Sequence, residues 1–319
     1  MKKLIVFLLS VNSTCASAQF QQNINEFAGT ISNLTEEVDS IRFNAVTNEM
    51  EVLLMNGNVN VYSISDVMNV TFSGWEDITA ATCGACGVHN PDLIYNTMFD
   101  QDGNLYKTIV IGSQEWMAEN LRASHYRNGD EIPYVNDTTQ WTMLSTGAYC
   151  FYDNWPGHEC PFGNLYNWYA VADERNLCPT GWHVPSNDEW INLINYLDPT
   201  ADGGWAGVPS SPENVAGRKM KNTNPELWEV GVNPTFCTNE SGFSALAGGV
   251  RAIWFMIPDA PIPSYETSVF AAIGHFGQWW SSSSFNTSSA YYLYLSWSSS
   301  AWRQTEDKRD GYSVRCIRD

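Results

Sequence analysis

The stretch "CPTGWHVPSNDEWINLINYL", residues 178–197, decides the fold of the chain. Ser186 and Glu189 form a capping box, in which the serine oxygen accepts a free helix N–H and the glutamate carboxylate accepts the N–H of the serine. Apolar residues then recur at helical spacing, at Trp190, Leu193, Ile194 and Leu197. The pattern predicts a helix from about Asn187 to Leu197, preceded by a cysteine suited to tie the helix start to a distant strand.

The same stretch raises the alternative of a catalytic site, because it contains a histidine and several carboxylates. His183 has no partner at the spacing of a metal site or a catalytic triad, and a lone histidine is more often structural. The motifs G-x-S-x-G and H-E-x-x-H and the glycine-rich phosphate loops are absent from the sequence. A glycosidase pair stays open, because any two of the 35 acids could meet in space. We predict no catalytic residue and rank an enzyme third.

The N-terminus predicts export. Lys2 and Lys3 precede an apolar run over residues 4–9, and the small residues "ASA" end at Ala18, where we expect a signal peptide to be cleaved. The apolar run is too short to span a bilayer. Lipoprotein anchoring through Cys15 is less favoured, because "NST" before it lacks the usual apolar residue. We therefore expect a secreted or cell-surface protein.

Composition limits the class of partner. The 319 residues are 44% hydrophobic and 13% aromatic, which excludes a disordered chain, and only 16% are charged. Loss of residues 1–18 removes two lysines and no acid, so the net charge falls from −19 to −21. Phosphate contacts need basic patches, so we expect neither nucleic acid nor an anionic membrane as a partner. The oligomeric state is left open.

Strand and turn signals divide the chain near residue 95. In "MEVLLMNGNVNVYSI", residues 50–64, period-two alternation on both sides of Asn56-Gly57 predicts a β-hairpin. We therefore predict a signal peptide over 1–18, a small β module over 19–76, a linker over 77–97 and a second domain over 98–319. Besides the capped helix, two stretches of that domain read as helical, "FGNLYNWYAVADE" and "SPENVAGRKMKN".

The cysteine pattern predicts disulfides. Seven cysteines remain after removal of the signal peptide, so at least one is free or pairs with another chain. For Cys83 and Cys86 in "CGAC", a local disulfide is favoured over a metal or redox pair, because no second CxxC lies nearby. Cys150 and Cys160 flank the loop "FYDNWPGHE" and are predicted to pair. Cys237 is assigned no partner.

Several blocks of the second domain carry a family resemblance. They are "DQDGNLYKTIVIGSQEWMAENL", "FGNLYNWYAV", "LCPTGWHVPSNDEW", "SGFSALAGGVR", "GQWWSSSS" and "DGYSVRCIRD". Their order resembles that of the Fibrobacter succinogenes major paralogous domain from about residue 98 to 319, and the hairpin resembles a module that precedes this domain in exported Bacteroidota proteins. The layout is more distantly similar to the C-type-lectin-like fold of sulfatase-modifying factors.

The resemblance implies an α+β domain with few helices, many short antiparallel strands and a Cys178–Cys316 disulfide. The reactive cysteine pair, the iron-binding histidine motif and the calcium-dependent sugar motif of the wider fold are missing. No cofactor or metal site is therefore predicted. Calcium stays open, although "DQDGN" at 100–104 is favoured as a turn because a calcium loop would need Glu where Ile111 stands.

Aromatic residues within 277–302 are the candidates for ligand binding. "GQWWSSSSFNTSSAYYLYLSWSSSAW" reads as strands in which aromatic and hydroxyl residues interleave, a composition that suits stacking on sugar rings. Two adjacent residues on a strand point to opposite faces, so one of the paired tryptophans should face solvent. The competing interpretation is that these rings fill the core. The candidates are Trp279, Trp280, Tyr292, Tyr294 and Trp302.

Two functional hypotheses follow. The first is an exported, non-catalytic module that recognises glycan or another envelope component through these aromatic residues. The second is a structural or adhesive surface protein whose loops contact other proteins, with Cys237 available for an intermolecular bridge.

Overall fold

A computed structural model describes residues 38–44, 49–54, 59–63, 83, 88–205, 213–225, 227–228, 237–255 and 266–319. The chain divides into two compact units, Met1–Ala81 and Thr82–Asp319. The predicted signal peptide and Cys15 lie outside the described residues, as does Cys86. The finer bounds of the β module and its linker stay predictions.

The first unit contains a three-stranded antiparallel sheet in the order β1-β2-β3. Its strands are β1 Val38–Asn44, β2 Glu49–Leu54 and β3 Val59–Ser63. Val52 pairs with Asn60 and Leu53 with Val59, which confirms the predicted hairpin between β2 and β3.

The second unit has short helices and many antiparallel strands, which is the predicted α+β class. Its strands are β4 Asn96–Phe99, β5 Leu105–Ile111, β6 Gln114–Met117, β7 Tyr149–Cys150, β8 Leu165–Tyr166, β9 Trp182–His183, β10 Gly248–Phe255, β11 Glu266–Ile273, β12 Gly277–Ser284, β13 Ser289–Leu295, β14 Ala301–Asp307 and β15 Ile317–Arg318. Its helices are α1 Thr138–Thr142, α2 Glu159–Phe162, α3 Trp168–Val171, α4 Asn187–Leu197 and α5 Ala216–Met220. Short 3-10 turns lie at Tyr152–Asn154, Pro156–His158 and Asp202–Gly204.

The last strand of the chain closes the larger sheet of this unit. The sheet has the order β4-β5-β6-β15-β9, and Ile317 of β15 pairs with both Trp116 and His183. The disulfide Cys178–Cys316, with a Cα–Cα distance of 6.0 Å, joins β15 to the segment that leads into α4. The remaining strands form the sheets β12-β13-β14, β10-β11 and β7-β8.

Helix α4 begins at the predicted capping box. Ser186 Oγ accepts from the backbone N–H of Glu189 at 3.2 Å, and Glu189 Oε2 accepts from the N–H of Ser186 at 2.7 Å. The whole apolar stripe is buried, namely Trp190, Leu193, Ile194 and Leu197. Local signals therefore fix both the start and the buried face of α4.

The other two predicted helices are shorter than their patterns suggested. In "FGNLYNWYAVADE", Leu165–Tyr166 forms β8, and the helix starts only after Asn167, whose side chain accepts from Ala170 N. In "SPENVAGRKMKN", of which the structure describes residues 213–222, the helix is Ala216–Met220. Sheet pairing and an asparagine cap therefore limit the helical content.

Two cores lie on opposite sides of the β12-β13-β14 sheet. Trp280 packs in one core with Tyr292 and Tyr312, whereas Trp279 packs in the other with Trp116 and residues of α4. Both tryptophans are completely buried. The expectation that one of the pair faces solvent is wrong, because each face of this strand is covered by a core.

The predicted disulfides Cys83–Cys86 and Cys150–Cys160 are wrong. Cys83 pairs with Cys160, which is 77 residues away, at a Cα–Cα distance of 5.0 Å. Cys150 lies on β7 and points into a small core around Trp141, where burial raises the pKa of its thiol to about 12. Cys237 is a free cysteine of intermediate exposure.

Candidate functional site

Strand pairing brings four of the five candidate aromatics to one face of the β12-β13-β14 sheet. Residues directly opposite each other on neighbouring strands share a face. One cross-strand row is Trp280, Tyr292 and Gln304, and the next is Gln278, Tyr294 and Trp302. Trp279 belongs to the opposite face.

At the end that carries Trp280 and Tyr292, other parts of the protein cover this face. The Trp280 ring lies 4.4 Å from the Tyr312 ring, and its indole N–H donates to the Tyr166 carbonyl at 2.8 Å. The Tyr292 hydroxyl donates to Gln304 Oε1 at 2.5 Å, and its side chain is buried as well.

On the opposite face, the Trp279 indole N–H donates to Asn120 Oδ1 at 2.8 Å. Trp279, Trp280 and Tyr292 are therefore core residues, and the prediction that they contact ligand is wrong. A ligand cannot reach rings that are buried and whose polar atoms already bond to the protein.

At the other end the face opens to solvent. Tyr294 and Trp302 are directly opposite one another and both are partly exposed. The ring of Phe276, also partly exposed, lies 5.3 Å from that of Tyr294. We call Phe276, Tyr294 and Trp302 the aromatic platform.

Sequence reasoning missed Phe276, although a signal was present. Phe276 precedes Gln278 by two residues, so the alternation of β12 places it in line with the residues of the platform face. Continuing the alternation of β12 from Gln278 back to position 276 would have identified this residue.

A buried carboxyl lies behind the closed end of this face. Asp310 Oδ1 accepts from the backbone N–H of Ile253 at 2.7 Å, and the Tyr312 hydroxyl donates to Oδ2 at 3.1 Å. Burial, and to a smaller extent the nearby charge of Glu306, raises the pKa of Asp310 to about 8, although the hydrogen bond from Ile253 acts to lower it. The carboxyl is thus protonated at neutral pH, and with an exposed fraction of only 3% it is closed to substrate.

The structure gives the acidic turn of "DQDGN" a structural role. Asp100 Oδ1 accepts from the backbone N–H groups of Asp102 and Asn104, both at 2.9 Å, and Asp100 Oδ2 accepts from the Tyr106 hydroxyl at 2.6 Å. Within the described part of the chain, no group of three or more His, Cys, Asp or Glu residues is placed to hold a metal ion. Among the same residues, no helix has the length and apolar character needed to cross a membrane.

Fold and surface together define a mostly-β α+β domain with an aromatic surface. The family model of the Fibrobacter succinogenes major domain matches residues 109–318, and the chain belongs to this family. No curated protein and no solved structure matches the chain significantly. The likeness to the C-type-lectin-like fold stays a prediction.

Proposed function

We propose that this protein is a non-catalytic binding module whose aromatic platform stacks on the sugar rings of a neutral glycan. The observation that carries the proposal is a set of three partly exposed aromatic residues at the open end of one sheet face. The rings of Phe276 and Tyr294 are 5.3 Å apart, and Trp302 stands opposite Tyr294 on β14. Strand pairing holds Tyr294 and Trp302 in place before ligand arrives, which lowers the entropic cost of binding.

Charge and hydrogen-bonding capacity support a neutral ligand. A net charge of −19 for the whole chain repels anionic polymers. The Trp302 indole N–H has no hydrogen-bond partner among the described residues and is free to donate to a sugar hydroxyl. Export accords with the same reading, because the two disulfides suit an oxidising compartment.

The test is binding of the purified chain to a panel of neutral polysaccharides, with Ca²⁺ and with chelator. Trp302→Ala should weaken binding at least about tenfold, which corresponds to about 1.4 kcal/mol of stacking energy. Trp155→Ala is the matched control, since Trp155 is 59% exposed and packs against His158 on a separate loop. Equal losses in both variants, or no binding to any glycan, would refute the proposal. Loss in chelator alone would indicate a calcium site.

The alternative of a structural or adhesive protein has its own observation. A groove of about 500 Å³ lies between β5 and the end of α4. Its lining is mixed: it includes the exposed apolar residues Val110 (56% exposed) and Tyr196 (62% exposed), and also Lys219, Glu240 and Ser241. Exposed apolar surface of this kind suits protein contact. If glycan binding fails, capture of a defined envelope protein by wild type but not by Tyr196→Ala would support this alternative.

A further inference from the structure

A second row of aromatic side chains lies on the same three-stranded sheet. The ring centroids of Trp205 and Tyr291 are 5.7 Å apart, and those of Tyr291 and Phe285 are 5.4 Å apart. Phe285 is 50% exposed, and the other two rings are partly exposed. We call Trp205, Tyr291 and Phe285 the second row.

The second row and the aromatic platform lie on opposite faces of the sheet. Tyr291 pairs with Thr305, and its position on β13 is of opposite parity to that of Tyr294. The two tyrosines are three residues apart, or about 10 Å along the strand. The buried centre of the sheet, with Leu293 on one side and Tyr292 on the other, separates them. One short sugar chain stacked on Tyr294 therefore does not reach Tyr291.

The position of Trp205 in the second row is fixed by a buried arginine. Trp205 forms a parallel β-bridge with Arg303, whose guanidinium lies 5.4 Å from the indole centroid. Arg303 donates to the Gly203 carbonyl and to Asn187 Oδ1, each at 2.5 Å. Because these contacts hold the ring without a ligand, the row is preorganised. Arg303 is itself buried, so the row offers no accessible positive charge to an anion.

Unused hydroxyl groups flank the second row. Ser289 and Thr305 share the face of Tyr291, because they alternate with it on β13 or stand opposite it on β14. Neither side-chain hydroxyl bonds to another described residue, so both can bind sugar hydroxyls. Partly exposed rings in edge-to-face contact, beside free hydroxyl groups and with no exposed cation among the described residues of the row, match the chemistry of a neutral polysaccharide.

We propose that the second row is a second glycan-binding surface, and that the domain bridges two neutral polysaccharide chains, one on each face of its sheet. This inference rests on the proposed function of the aromatic platform. Bivalence predicts a distinct behaviour: the whole chain would bind immobilised polysaccharide far more tightly than a short oligosaccharide, because two engaged sites add avidity.

The experiment uses the full chain, immobilised xyloglucan, galactomannan and dextran, and soluble hexasaccharides of the same polymers. Phe285→Ala tests the second row and Trp302→Ala the platform. Phe285 is half exposed, so its variant should fold normally, and Trp155→Ala is again the control. Calorimetric titration with hexasaccharide should give two sites for wild type and the control, one for each single variant and none for the double variant. Affinity for the immobilised polymer should fall at least about 100-fold in either single variant.

Bridging is measured directly by capture of fluorescent soluble polymer on beads that carry the same polymer. Wild type should capture the labelled chain, and neither single variant should. A single site that is lost in Trp302→Ala but kept in Phe285→Ala would overturn bivalence and leave the proposed function standing. A single site lost only in Phe285→Ala would overturn both the platform and bivalence, and no binding to any of the three polymers would do the same.

Discussion

Asp310→Asn should remove a pH dependence of stability that the buried carboxyl creates. Asparagine has nearly the same shape, its Oδ1 can still accept from the N–H of Ile253, and its amide can donate to the hydroxyl oxygen of Tyr312. The variant differs in that the asparagine side chain cannot ionise, whereas the Asp310 carboxyl can release a proton. Burial raises the pKa of Asp310 from its ordinary value of 3.8 to about 8.

The sign and size follow from proton linkage. Between pH 4 and 8 the folded protein keeps the proton of Asp310, whereas the unfolded chain releases it. The free energy of unfolding contributed by this group therefore falls as pH rises, by up to about 1.4 kcal/mol per pH unit. From pH 5 to pH 7 the fall amounts to about 2.6 kcal/mol. Because Asp310 is only 3% exposed, solvent screening does not reduce this figure.

The assay is urea unfolding of wild type and Asp310→Asn at pH 5, 6 and 7. The difference between their unfolding free energies should change by about 2.6 kcal/mol across the series, with the variant gaining relative stability as pH rises. Asp188→Asn, at an exposed carboxylate in the first turn of α4, is the control and should run parallel to wild type. Parallel curves for Asp310→Asn would show that Asp310 is ionised in the folded protein and would contradict its raised pKa.

Three further outcomes are expected. Replacing Cys178 and Cys316 by serine should cost about 5 kcal/mol in the chain-entropy model, because their disulfide spans 138 residues; denaturant unfolding checks this, and a loss below 1 kcal/mol would contradict it. Ser186→Ala should cost about 1 kcal/mol of unfolding free energy through the lost helix cap, with Ser186→Asn as the conservative rescue. Partial burial opposes ionisation of His183, yet hydrogen bonds to two carboxylates raise its pKa. Its stabilisation should be complete below pH 6.5 and lost as pH rises through the folded pKa, and His183→Gln should flatten that part of the stability profile.

The parts of the fold that the sequence predicts are those set by neighbouring residues. The capping box at Ser186 and Glu189 and the Asn-Gly sequence signal at 56–57 act within a few positions, so helix α4 and the pairing of β2 with β3 follow without knowledge of the rest of the chain. The pairing of Cys178 with Cys316 spans a long distance, and it was implied only by the family resemblance.

Strand alternation, which depends on local sequence, places Tyr294 and Trp302 on one face, where both are partly exposed. That they bind a ligand stays a prediction. The accessibility of Trp279 and Trp280 depends on what covers each face, and no local pattern contains that information. The second row was not predicted for the same reason, because Trp205 lies 86 positions before Tyr291 in the chain and meets it only in the folded protein.

Periodicity, capping, turn chemistry and charge can be read from the sequence, since these are properties of adjacent residues. The cysteine that pairs with Cys83, the burial of the tryptophans and the grouping of rings at the surface follow from the tertiary fold. The physical reason is that burial and partner choice depend on contacts between residues far apart in the chain, and those contacts exist only when both sides of a sheet have been covered.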